Sequence, residues 1–163
     1  MNPYLVGALG WGGYDPLSFL KIASEAQLMA TLKYGAMIGA AEFLALGILF
    51  RLVVLRHMLG MEVVLSDRTK AIAEMVVLAP VREEAIFRFA GISAIYALTG
   101  SLFGGIALSS VAFGLGHLYQ GPGNALVHVI GGLILAYAFL TGGLLAAIVA
   151  HATYNLIILS FWL

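Results

Sequence analysis

The second half of this chain contains no charged side chain of the Lys, Arg, Asp or Glu type. From residue 89 to residue 163 the sequence is a series of apolar stretches, separated by short segments that contain glycine. One helical crossing of a bilayer takes about 20 apolar residues, and only structures that satisfy their own backbone hydrogen bonds can cross it. Since 62% of all residues are hydrophobic and 10% are charged, the sequence predicts an integral membrane protein.

The apolar segments predict an all-α fold, a polytopic transmembrane helical bundle with about five to six membrane segments. A short segment at 16–27 is expected to be interfacial or only partly inserted, and the first clear span runs over about 34–55. Segment 71–98 contains Pro80, which should end or kink the helix around Ala79. The remaining predicted segments are 102–118, 125–140 and 144–163. Their short connections make neighbouring helices antiparallel, and the whole chain, 1–163, forms one domain.

The charges that do occur constrain orientation and partners. The connector 51–70 is the most basic and polar stretch, so the positive-inside rule places it in the cytoplasm. The net charge is zero, which gives no indication of nucleic-acid binding, and the expected partners are the lipid bilayer and a membrane-associated substrate. Cysteine is absent, which excludes thiol nucleophiles and Cys-ligated zinc. The first residues lack the basic region of a cleavable signal peptide.

Several titratable or polar side chains lie within the apolar segments, where they are costly and are mostly retained for function. Glu84 and Arg88 are four residues apart and should pair on one helix face, leaving Glu83 to face another direction. An alternative interpretation is that both glutamates only cap a helix start after Pro80. The spacing alone leaves both interpretations open.

Histidines supply the other candidates. Phe113 and His117 are four residues apart near the end of one segment, and His151 and Asn155 share a face of the last one. The alternative for His117 is an interfacial histidine with a hydrogen bond, and for the last pair it is adhesion between helices, about 0.6 kcal/mol per contact. Three further side chains are assigned to packing, helix pairing or interfaces: His128, Glu42 and Glu74. For His128 the alternative is that it belongs to the site.

Three short motifs occur in the same order as in a known protease family. They are Glu83-Glu84-x-x-x-Arg88, Phe113-x-x-x-His117 and His151-x-x-x-Asn155. The chain thereby resembles the CPBP family, which contains the type II CAAX prenyl proteases and bacteriocin-processing relatives, also called Abi proteins. The resemblance covers about residues 79–159, and we expect this stretch to be the core of the domain.

The resemblance implies an intramembrane endopeptidase of the glutamic type that needs no cofactor. By position, Glu83 and His117 would activate a water, while His151 and Asn155 would stabilise the oxyanion. The resemblance also implies a supporting group of residues: Glu84, Arg88 and Phe113. A carboxylate in a partly desolvated site has a raised proton affinity and becomes a usable general base near neutral pH, which makes this chemistry reasonable.

The chain is shorter than the CAAX proteases proper and its N-terminal third does not align with them. The resemblance is therefore not taken to imply that this chain processes prenylated proteins. The expected substrate is a membrane-associated protein or peptide precursor with a leader or a C-terminal sorting tail, in a bacterial inner membrane. Alternatives are a zinc or iron protease with Glu83, His117 and His151 as ligands, a non-catalytic immunity or peptide-binding protein, and an ion or proton carrier.

Overall fold

A computed structural model of the chain describes residues 15–53 and 68–160, without the side chains of 48–53, 68 and 71. The regular elements in these two ranges are all helical, which confirms that the fold is all-α. Residues 54–67, which form most of the connector expected in the cytoplasm, lie outside the described part of the chain, as do residues 1–14.

The first long helix begins earlier than the sequence predicted. A short 3₁₀ helix, Pro16–Leu20, precedes helix α1, Glu25–Val53. The start of α1 is capped because the Ser24 hydroxyl accepts the Gln27 N–H at 3.1 Å and the Gln27 side chain accepts the Ala23 N–H at 2.7 Å. The predicted interfacial segment 16–27 is therefore a 3₁₀ turn followed by the first residues of α1.

Helix α2 is continuous over residues 68–99, but it contains two widened turns. Its consecutive parts are Arg68–Ile72, the π-helical Ala73–Leu78, Ala79–Glu83, the π-helical Glu84–Ile92, and Ser93–Thr99. The sequence predicted a helix end or a kink around Ala79. A helix end is wrong, since Leu78 and Ala79 both have helical backbone angles. The Ala79 N–H donates to the Glu74 carbonyl oxygen five residues back, and this π turn accommodates Pro80.

The remaining helices follow the predicted segments closely. Helix α3, Leu102–Gly116, starts at Ser101, whose hydroxyl accepts the Gly104 N–H at 3.0 Å. After a 3₁₀ turn, Leu118–Gln120, an apolar helical stretch runs over Pro122–Ser160. Gly143 breaks it, because its φ of 82° and ψ of −179° are not helical. We call the two parts α4 (122–142) and α5 (144–160).

Close helix contacts depend on glycine at two places. A Cβ built on Gly39 of α1 would lie 2.2 Å from the Ala150 carbonyl oxygen of α5. A Cβ on Gly114 of α3 would lie 2.6 Å from the Ala125 carbonyl oxygen of α4. A side chain at either position would force the helix backbones apart, so small residues hold the bundle close, as is typical of helices packed in lipid.

Much of the outer surface of the helices is apolar. Leu98, Phe103, Met37 and Leu44 are exposed over 86%, 80%, 71% and 70% of their surface, which suits contact with lipid chains. Within the described residues, one helical stretch, Pro122–Ser160, is long and apolar enough to cross a membrane, and Leu102–Gly116 is a shorter apolar helix. The expected number of five to six spans stays a prediction.

Candidate active site

Helix α2 carries a buried ion pair at the first motif. The Arg88 Nε lies 3.0 Å from the Glu84 Oε2, and both side chains are almost completely buried. This confirms the pair predicted from the spacing of four residues. The capping interpretation of Glu83 and Glu84 is wrong, because α2 begins at Arg68 and both glutamates lie inside it.

His151 of α5 lies between the two consecutive glutamates of α2. Its Nδ1 is 2.8 Å from the Glu84 Oε1, so Nδ1–H donates to that carboxylate. Its Nε2 is 3.9 Å from the Glu83 Oε2. Glu83 is the more exposed of the two carboxylates and also lies 3.9 Å from the Arg82 guanidinium. The first and third motifs are thus brought into one cluster although they are far apart in the chain.

Phe113 of α3 lies at the centre of this cluster. The Arg88 Cζ is 4.3 Å from the centre of the Phe113 ring. The ring centre is 4.9 Å from that of His117 and 5.9 Å from that of His151. A guanidinium over an aromatic face and edge-to-face ring pairs are both favourable, so Phe113 fixes the side chains of all three motifs relative to one another.

His117 follows α3 and belongs to a stacked pair of imidazoles. Its Nδ1 lies 2.9 Å from the Phe113 carbonyl oxygen, which can only accept, so the neutral ring keeps a lone pair on Nε2. The His128 ring stacks on it with centres 3.7 Å apart and an angle of 11° between the planes. His117 forms no direct ion pair with Glu83 within residues 15–53 and 68–160, so contact between them would require a bridging group.

Two side chains that the sequence assigned to packing lie in the same region. A pocket between α1, α3, α4 and α5 has five polar lining residues: Glu42, His128, His151, Tyr154 and Asn155. Its other walls are apolar. Glu42 was assigned to helix pairing because it has no polar partner at helical spacing on its own helix. His128 lies four residues after Asn124, the same spacing as between His151 and Asn155, and this signal could have pointed to the pocket.

Asn155 binds a backbone carbonyl of α2. Its Nδ2 donates to the Met75 carbonyl oxygen at 2.8 Å. That oxygen has no helical partner, since the Ala79 N–H donates to Glu74 instead and Pro80 has no N–H. Asn155 therefore joins α5 to the widened turn of α2, and its second amide N–H is left for another acceptor.

Asn155→Ala is expected to lower the free energy of unfolding by about 1–3 kcal/mol, because it leaves the Met75 carbonyl oxygen without a partner. Pro80→Ala restores a backbone N–H at the π-helical partner position, so the double variant should recover part of the loss. Denaturant unfolding in detergent measures both effects. A double variant whose loss is the sum of the two single losses would contradict this account.

No group of three His, Asp or Glu side chains that could hold a metal ion is found where the structure is described. The ligand set considered from the sequence, Glu83, His117 and His151, is therefore not gathered as a metal site in the described part of the chain. The same three residues remain candidates for acid–base chemistry without a metal.

A comparison with protein families decides which family this cluster belongs to. The model of the type II CAAX prenyl endopeptidase Rce1-like family matches residues 65–157, which is more than half of the chain and includes all three motifs. The chain belongs to the Rce1-like family. No curated protein and no solved structure matches it.

Membership confirms the resemblance to CPBP proteins and makes this Rce1-like chain a membrane-associated protease, a hydrolase that acts on peptide bonds. The matched range begins before α2 and ends within α5, so α1 and Glu42 lie outside it.

Proposed function

We propose that this Rce1-like protein is an intramembrane endopeptidase of the glutamic type, which hydrolyses a peptide bond of a membrane-associated protein or peptide. The observation that carries the proposal is the position of His151 between Glu83 and Glu84. In this position the His151 imidazole is held by the buried Glu84–Arg88 pair and lies beside Glu83, the more accessible carboxylate. The substrate class we infer is a precursor with a leader or a C-terminal sorting tail.

Activation of water is assigned to Glu83 and His117. The Glu83 carboxylate and the Nε2 lone pair of His117 are both acceptors, so a water between them would be oriented by two hydrogen bonds. Transfer of its proton to Glu83 lets the oxygen attack the peptide carbonyl carbon, and general-base catalysis of this kind contributes about 10²–10⁴-fold to the rate.

Stabilisation of the oxyanion is assigned to His151 and Asn155. Glu84 accepts the Nδ1–H of His151, so the ring must carry both protons to donate its Nε2–H to the developing negative charge. The second N–H of Asn155 provides the other donor. When the C–N bond breaks, the leaving nitrogen takes the proton that was removed from the water. A donor in such a position contributes about 2.7–4 kcal/mol to transition-state stabilisation.

Mass spectrometry of peptide termini in membrane fractions tests the proposal. Cells that express the wild-type chain are compared with cells that express Glu83→Gln, which keeps the size of the side chain and removes its charge. We expect new termini only with the wild type, and the uncut precursor to accumulate with Glu83→Gln. Identical termini in both samples would overturn the proposal. Metal analysis of the purified protein separates it from the zinc or iron alternative.

A further inference from the structure

Glu42 is a buried carboxylate with one unpaired oxygen. It lies on α1 and is only 3% exposed, and its Oε2 has no hydrogen-bond partner among the described residues. It forms no ion pair among the residues that the structure describes, because the buried guanidinium of the cluster, Arg88, is paired with Glu84. An ionised carboxylate in an apolar interior is strongly unfavourable without a partner, so Glu42 can carry its charge only beside a bound group that the described residues do not supply.

Two polar side chains that line the pocket with Glu42 offer acceptor atoms. His128 shares the pocket with Glu42, and its Nδ1 lies 2.8 Å from the Asn124 carbonyl oxygen, so the neutral ring keeps a lone pair on Nε2. Asn155 also lines the pocket and donates its Nδ2 to Met75, which leaves its side-chain oxygen as an acceptor. A carboxylate with two neighbouring acceptors suits a cation that carries several N–H donors, and the Tyr154 hydroxyl, which also lines the pocket, can accept as well as donate.

Gly131 makes room for the carboxylate. A Cβ built on Gly131 of α4 would lie 2.8 Å from the Glu42 Oε1, which is too close for any other residue to occupy without displacing that oxygen. The contact joins α1 to α4 at the wall of the pocket. The position of the carboxylate therefore depends on a glycine in a neighbouring helix and is not a consequence of α1 alone.

We propose that this pocket binds a protonated amine of the peptide substrate, with Glu42 as its counter-ion. The amine is either a lysine side chain or a free N-terminus, since both present an ammonium with three donors. The pocket also contains His151, so an amine bound there lies beside the residues assigned to catalysis. The claim that this pocket determines cleavage specificity rests on the proposed function. The claim that it binds an amine does not.

The first experiment measures binding without turnover. Isothermal titration calorimetry on the Glu83→Gln protein in detergent compares n-butylammonium with n-butanol, which has the same chain and no charge. We expect the ammonium to bind about 10–100-fold more tightly, a ratio typical of a hydrogen-bonded charge. Adding Glu42→Gln or Gly131→Ala should remove most of the difference. Glu25→Gln, an exposed change on the same helix, should keep it.

Equal affinity for ammonium and alcohol would overturn the amine pocket, and so would a preference that survives Glu42→Gln.

The second experiment uses peptides from the cleaved precursor with lysine or norleucine at each position near the cut, and with a free or acetylated N-terminus. For each pair of peptides, kcat/KM of the peptide with the charged amine is divided by kcat/KM of its neutral counterpart. Glu42→Gln should lower this ratio for one pair, and that pair identifies the amine as a lysine side chain or the N-terminus. Unchanged ratios would contradict a role in specificity. A wild-type protein that cleaves nothing would contradict the proposed function, and the calorimetry would still decide the amine site.

Discussion

Glu83→Gln is expected to lower kcat by about 10²–10⁴-fold, because glutamine cannot accept a proton from the attacking water. The Glu83 side chain is partly exposed, and its distances of 3.9 Å to His151 and to Arg82 indicate weak contacts. Folding should therefore change little, and KM should stay close to that of the wild type. Steady-state kinetics on the purified protein, with a peptide from the cleaved precursor, measures this effect.

Glu74→Gln is the matched control for this substitution. Glu74 is also a glutamate of α2, but its side chain is 52% exposed and pairs with the exposed Arg82 at 3.3 Å. Its kcat should equal that of the wild type. If Glu83→Gln retained the rate of Glu74→Gln, Glu83 would not be the base.

Arg88→Met is expected to lower the free energy of unfolding by about 3–5 kcal/mol. The Arg88 side chain is buried, and its removal leaves the Glu84 carboxylate with the His151 imidazole as its remaining partner among the described residues. An uncompensated buried charge is the reason for an effect of this size. Denaturant unfolding in detergent micelles measures it.

Two comparisons separate this effect from a general loss of a positive charge. Arg82→Met removes an exposed arginine from the same helix and should change stability by only about 0–1 kcal/mol. The double variant Glu84→Met/Arg88→Met removes both charges and should be more stable than Arg88→Met alone. A double variant that is less stable than Arg88→Met would contradict the pair as the source of the effect.

The helical period explains what the sequence could predict about the site. Residues four apart share a helix face, so the pair Glu84 and Arg88 followed from spacing, and the structure confirms it. The helix breaks at Gly100 and Gly143 also followed from the sequence, because both positions separate long apolar segments. These features are local, and local geometry is what a residue pattern determines.

Features that depend on contacts between distant segments were not predicted. The two π turns of α2 could not be inferred from Pro80 alone, since a proline is equally compatible with a helix end. Glu42 and His128 reach the pocket because α1 and α4 pack against α5 and α3, and for Glu42 no motif on its own helix indicates it. Whether a side chain points toward a shared pocket depends on the tertiary packing of the helices.

The central claim is that Glu83 and His117, on separate helical segments, act on the same water. The most direct test measures kcat for Glu83→Gln, His117→Ala and the double variant under identical conditions. Groups that act in one step are strongly non-additive, so we expect the double variant to lose little more than the more damaging single variant. Losses that multiply in the double variant, or a single variant with the wild-type rate, would contradict a shared water.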